Sequence, residues 1–177
     1  MKITVAAVTS LDGKLNRHGE NDIQDWTSTE DSEHFRSLVD AHDAIVMGST
    51  TYEAMRPSLR LQPGKLRIVL TTRSDAFGPD AVPGQLEFAT ASPSELVASL
   101  QARGYPNLLV AGGGRMIADF LAADLVDELY ITVEPRIFGT GSPLIVDAPL
   151  DISLKLVESR LLNTTGTILL HYQQRES

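Results

Sequence analysis

The residues best suited to chemistry lie in three glycine- or hydroxyl-rich junctions, each following an apolar run, and in one acid placed on an apolar stripe. In Val110-Ala111-Gly112-Gly113-Gly114-Arg115-Met116-Ile117, an expected strand runs through three glycines into an expected helix. Glycine lets a backbone come close to a ligand, and a helix start offers free N–H groups to phosphate. Arg115 adds a cation. The spacing matches neither G-x-G-x-x-G nor a Walker A loop, and the same glycines also suit a tight strand-to-helix turn with no ligand. Met47-Gly48-Ser49-Thr50-Thr51-Tyr52-Glu53 repeats the arrangement, and Thr50 and Thr51 could cap the helix or bind a phosphate at its start. The third junction, Thr71-Thr72-Arg73-Ser74, is either a solvated loop or a seat for a nucleotide 2′-phosphate, which a guanidinium grips through two nitrogens.

The acid is Asp31. Thr27-Ser28-Thr29-Glu30-Asp31 is a helix-start signal, with both Ser28-x-x-Asp31 and Thr27-x-x-Glu30 spaced as a capping box. Phe35 and Leu38 follow at i+4 and i+7, so Asp31 lies on or beside the stripe that faces the interior. There it would orient a polar heterocycle, or supply a proton if burial raised its pKa; alternatively it only caps the helix. Asp12-Gly13 reads first as a turn after the opening strand. Trp26, the single tryptophan, stacks on a flat ligand or plugs a loop. The four histidines, His18, His34, His42 and His171, show no metal-ligand spacing, so no metal site is expected.

These groups need elements to hold them. Apolar runs at 3–8, 44–47, 67–70, 108–111 and 129–133 are rich in Val, Ile and Leu, as strands covered on both faces are. Ser92-Pro93-Ser94-Glu95 is an N-cap, a proline at the first helical position and a glutamate at the third, and that helix should stop near Gly104. Segments 155–159 and 167–172, with Asn163-Thr164-Thr165-Gly166 between them, form a terminal antiparallel hairpin. Stretches 57–64 and 78–84 are Pro/Gly-rich surface loops. The pattern specifies an α/β fold with a mostly parallel central sheet flanked by helices and a C-terminal hairpin. In such sheets ligands bind beyond the carboxyl ends of the strands, where the junctions sit.

Composition narrows the partners. The chain has 177 residues, which suits one domain, 1–177. Its net charge is −8, the wrong sign for coating a phosphate backbone, so nucleic acid is not an expected partner. There are no cysteines, which excludes thiolate zinc sites and fits a reducing cytoplasm. The opening apolar run is too short for a leader or a membrane span.

Taken together, the motifs resemble the dihydrofolate-reductase-like superfamily over essentially the whole chain. The resemblance rests on Ala6-Ala7, Met47-Gly48-x-x-Thr51-Tyr52-Glu53, Ala111-Gly112-Gly113-Gly114-Arg115 and Leu125-Val126-Asp127-Glu128-Leu129-Tyr130-Ile131-Thr132, in that order. Three further segments are similar to the reductase domain of the bacterial riboflavin deaminase–reductases: Ser10-Leu11-Asp12-Gly13-Lys14, Gln24-Asp25-Trp26-Thr27-Ser28 and Gly139-Thr140-Gly141-Ser142-Pro143. No H-x-E with C-x-x-C pair exists, so the resemblance implies a stand-alone reductase.

The resemblance implies NADPH bound by Ala7, Leu15, Gly48, Thr50, Thr51, Thr72, Arg73, Gly112, Gly113, Gly114, Arg115 and Met116. It also implies a cis Gly112–Gly113 peptide. Asp31 and Lys14 become the catalytic candidates, and Asp12, Trp26, Ser28, Phe35 and Arg56 the substrate-binding ones. The implied reaction is hydride transfer to the sugar C1 carbon of a phosphoribosylamino-pyrimidine in its imine form. Dihydrofolate or pterin reduction is the alternative, and a nucleotide-binding module without catalysis is another. A homodimer is implied by analogy. The chain departs from the riboflavin branch at Ala54-Met55-Arg56-Pro57, where that branch has Ala-Asp-Asp-Pro, and at Gln62, near a usual arginine.

Overall fold

A computed structural model describes residues 1–20, 25–146 and 148–174. The strands are β1 (Lys2–Ser10), β2 (Ala44–Gly48), β3 (Leu66–Leu70), β4 (Leu86–Ala89), β5 (Asn107–Val110), β6 (Glu128–Glu134), β7 (Leu154–Leu161) and β8 (Ile168–Gln174). The helices are α1 (Thr29–Ala41), α2 (Ser49–Met55), α3 (Pro93–Ala102) and α4 (Gly114–Ala122), with a 3-10 helix at Ser74–Asp80. All eight strands form one sheet in the order β4-β3-β2-β5-β1-β6-β8-β7. From β4 to β6 every pairing is parallel, and β8 and β7 close the edge antiparallel. The carboxyl ends of β1, β2, β3, β5 and β6 therefore share one rim, where the expected junctions are found.

Alternation along the strands divides the core in two. Ile3, Val5, Val46, Ile68, Leu108 and Val110 face α3 and α4, whose Leu96, Leu100, Ile117 and Phe120 complete that layer. Ala6, Ile45, Met47, Val69 and Leu109 point the other way, with Tyr52 of α2 and Phe77 beside them. Phe35, Leu38 and Val39 of α1 pack on this second layer, as their helical spacing requires.

Two expectations need correction. The Pro/Gly stretch 78–84 is not one loop: the 3-10 helix takes in Gly78-Pro79-Asp80, with Phe77 buried beneath it. The peptide between Gly112 and Gly113 is trans, since no described bond is cis. A trans peptide is favoured by roughly 3 kcal/mol outside proline, and Gly113 makes the turn in extended conformation at φ −67° and ψ 168°.

Candidate active site

Helix caps distinguish the junctions that keep their N–H groups free. Ser92 and Glu95 cap α3 reciprocally, and Ser28 accepts from Asp31 N at the start of α1. Helices α2 and α4 begin on Gly48 and Gly113, and neither has a side-chain cap. Both open on the sheet rim at the end of a strand. Their first-turn N–H groups are thus available to an anion.

Met116 joins these two junctions. A Cβ on Gly112 would come within 2.8 Å of Met116 Sδ, and one on Gly48 would lie 3.8 Å from Met116 Cε. The thioether thus fills the space that a side chain at Gly112 would take and reaches ordinary contact distance of Gly48. Gly114 is closer still to its neighbours: a Cβ there would collide with the Pro143 carbonyl. Around Gly113, by contrast, a Cβ would meet nothing within 4 Å, so its open side faces outward. This cradle suits the phosphates of a dinucleotide.

The rim is covered by two loops clamped together. Asp12 accepts from Ser10 Oγ at 2.7 Å, from Phe138 N at 3.1 Å and from Gly139 N at 2.8 Å. The Ser10 hydroxyl and the two backbone donors hold its carboxyl down at about 2. Leu15 N donates to Ser142 O, Leu144 N to Gly13 O, and Lys14 bridges Pro143. Gly141, at φ +139°, is pressed against the Asn16 carbonyl, where no side chain would fit. Asp12, expected at the substrate, is committed to tying the loop after β1 to the loop after β6. Lys14 and Leu15 are half-buried in the same clamp.

Asp31 is 8% exposed, confirming its inward placement. Burial pushes its carboxyl up to about 6; a hydrogen bond with Thr132 opposes the rise and the charge of Glu134 adds to it. Thr132 and Glu134 lie two residues apart on β6, so both point to the same face. Glu134 is buried at 3% exposure, accepting from Ser28 N and from Thr167 Oγ1, each at 2.7 Å. Neither Thr132 nor Glu134 was expected at the site. Thr132 carried a signal in the Leu125–Thr132 motif, whereas Glu134 carried none, because its partners are distant in the chain. The β6 end that holds Asp31 is two strands from the Gly112 junction, about 10 Å across the sheet.

Several expected residues have other commitments. Ser28 caps α1 with its hydroxyl. Trp26 is 2% exposed and packs edge-on against Phe138 at 5.1 Å, so it plugs the loop; its Nε1 has no hydrogen-bond partner among the described residues. Arg56 is ion-paired to Asp80, which also accepts from Tyr52 at 2.9 Å. Arg73 lies over the Phe77 ring and 3.3 Å from Glu53, close to Thr71 and Thr72. Gln24 lies outside the described residues.

Comparison with known proteins agrees with this geometry. Residues 1–168 match the family model of the RibD C-terminal domain. The chain belongs to that family. YwjB of Bacillus subtilis (strain 168), an uncharacterized protein, is 26% identical over 97% of both chains. A pyrimidine reductase-like protein from Corynebacterium diphtheriae superposes with a TM-score of 0.83 at 17% identity, over 99% of this chain and 92% of its own. A diaminohydroxyphosphoribosylaminopyrimidine deaminase/5-amino-6-(5-phosphoribosylamino)uracil reductase from Thermotoga maritima gives 0.76 at 19%, over 98% of this chain and 56% of the larger protein. Dihydrofolate reductase from Enterococcus faecalis, complexed with NADP(H), gives 0.69 at 19%, over 99% and 97%. The fold of this RibD C-terminal domain is thus dihydrofolate-reductase-like. Among the described residues no group of three His, Asp or Glu is placed to hold a metal, and no helix is long and apolar enough to cross a membrane.

Proposed function

We propose that the chain is an NADPH-dependent reductase acting on a phosphoribosylamino-pyrimidine in its open-chain imine form. The observation that carries this reading is the pairing of two uncapped, glycine-started helices with a buried acid on the same rim. Gly48, Thr50, Thr51 and Gly112 to Met116 hold the cofactor phosphates, with Ala7 on β1 and Leu15 in the clamped loop as its further contacts. Thr72, Arg73 and Arg115 are the donors for a 2′-phosphate.

Bound NADPH supplies a hydride. Reducing an imine also needs a proton at nitrogen, and Asp31 is a buried carboxyl that holds its proton up to about pH 6, well above an ordinary aspartate. Thr132 fixes the direction of its carboxyl. Phe35, one turn along α1, lines the same side, and Lys14, within the clamped loops, is the cation assigned to the substrate phosphate. The RibD family and the Thermotoga reductase support the substrate class. Arg56 would have to leave Asp80 to take part. Cytoplasmic location and a homodimer complete the reading; Leu156, Val157 and Leu161 on β7 and Ile168 on β8 are exposed apolar residues suited to the contact.

A second reading has its own observation. A buried acid beside Thr132 suits the polar edge of a flat heterocycle whatever its sugar, so a dihydropterin is the competing substrate. NADPH titration followed by turnover of both substrate classes tests all of this. Failure to bind NADPH at micromolar concentration defeats both reductase readings, and binding without turnover of either substrate leaves a nucleotide-binding module.

A further inference from the structure

Helix α1 begins with half of a capping box. Ser28 is the N-cap, its hydroxyl accepts from Asp31 N at 3.2 Å, and Asp31 occupies the third helical position. In the complete motif the acid at that position turns back and accepts the N–H of the N-cap residue. Helix α3 does so: Glu95 Oε2 accepts from Ser92 N at 2.8 Å. In α1 that N–H is taken instead by Glu134 Oε1, at 2.7 Å, from a residue 106 positions away. Asp31 is thereby released from capping, and its carboxyl meets Thr132.

We propose that Glu134 is the positioning residue of this site: it substitutes for Asp31 in the cap of α1, frees the Asp31 carboxyl for substrate, and sets a fixed negative charge beside it. The inference rests on the reading of Asp31 as the acid of the reaction. Glu134 is itself secured, since Thr167 Oγ1 on the β8 side donates to its other oxygen at 2.7 Å. With both oxygens accepting hydrogen bonds, the Glu134 side chain is held in place.

The surroundings leave this charge uncompensated. From β6, Asp31 is faced by Thr132 and Glu134; on α1 its neighbour Glu30 is turned to Asn163 Nδ2 at 3.1 Å; from the β7–β8 turn come Asn163 and Thr167, both neutral. Among the described residues no Lys, Arg or His makes an ion pair with Asp31 or Glu134. The negative neighbour therefore favours the protonated form of Asp31.

The test is a carbon-13 NMR titration of the Asp31 carboxyl in ligand-free protein, comparing wild type with Glu134→Gln and Glu134→Asp. Glutamine keeps an acceptor for Ser28 N and removes the charge, so the Asp31 midpoint should fall by at least half a pH unit. Aspartate keeps the charge and should restore most of the wild-type midpoint. A folded Glu134→Gln protein that titrates like wild type overturns the proposal. If glutamine prevents folding, the aspartate variant decides: a midpoint fallen to the ordinary aspartate range, with the charge still present, overturns it, and a near-wild-type midpoint supports it. Because the readout needs no turnover, it stands apart from the assignment of reaction. Where turnover is measured, the pH profile of kcat/KM should shift with the NMR midpoint.

Discussion

The Asp31 carboxyl is buried to 8% exposure in the neighbourhood of Thr132 on β6, with the Glu134 carboxylate also close by. Folded Asp31 keeps its proton up to about pH 6, while the unfolded chain releases it near 3.8. The stability this group contributes is therefore full below pH 3.8 and is lost as pH rises through 6. At 1.36 kcal/mol per pKa unit the loss is about 3 kcal/mol at most. Asp31→Asn removes the ionisation, so at pH 7.5 it should stabilise the protein by about 1–3 kcal/mol, with little change at about pH 3, below the unfolded value. Turnover should fall by at least a hundredfold while NADPH affinity changes less than threefold. Calorimetry at the two pH values checks the first statement, and a comparable loss of affinity and turnover would refute the second.

Asp12 gives the opposite sign. Its folded pKa is about 2, so its contribution is present above pH 3.8 and fades as pH falls through 2. Asp12→Ala releases the backbone N–H groups of Phe138 and Gly139. Hydrogen exchange at those two amides should accelerate at least tenfold, with amides of β5 unchanged. Equal acceleration throughout would mean a general loss of stability rather than an unclamped loop.

Much of this site was legible from short spacings. Asp31, Phe35 and Leu38 fall on one helical face whatever the tertiary fold, and the Ser92–Glu95 box is complete within four residues. Asn163 likewise reads as a turn residue, and its Oδ1 accepts from the N–H groups of Thr165, Gly166 and Thr167. Long-range commitments left no such trace. Glu134 depends on Ser28 and Thr167, and Arg56 on Asp80, pairs that only the sheet order and the 3-10 helix bring together. Strand β4 escaped for a different reason: Leu86-Glu87-Phe88-Ala89 is only four residues long, is interrupted by Glu87, and has only Leu86 fully buried.

Arg67 on β3 is 7% exposed, and among the described residues its Nη1 has no hydrogen-bond partner and the side chain forms no ion pair. Burial lowers its pKa, but a guanidinium stays charged in a protein and bears the cost of desolvation. Methionine has a similar reach and no charge. Arg67→Met should raise the unfolding free energy measured in denaturant by about 1 kcal/mol or more. A loss of stability of that size would show that the guanidinium has a compensating partner.

The cofactor cradle makes a prediction about two adjacent glycines that differ in what surrounds them. A methyl at Gly114 would meet the Pro143 and Leu144 carbonyls and the Val146 side chain, all of which are backbone or packed groups. Gly114→Ala should therefore destabilise the fold, by about 1–3 kcal/mol. At Gly113 the same methyl meets no protein atom within 4 Å, and the φ of −67° suits alanine. Stability should hardly change in Gly113→Ala. What the methyl would obstruct is the approach of phosphate to the uncapped start of α4, so NADPH affinity should drop at least tenfold in isothermal titration. If Gly113→Ala binds NADPH as wild type does, the phosphates do not sit on this helix start, and the cofactor assignment of Gly112 to Met116 fails with it.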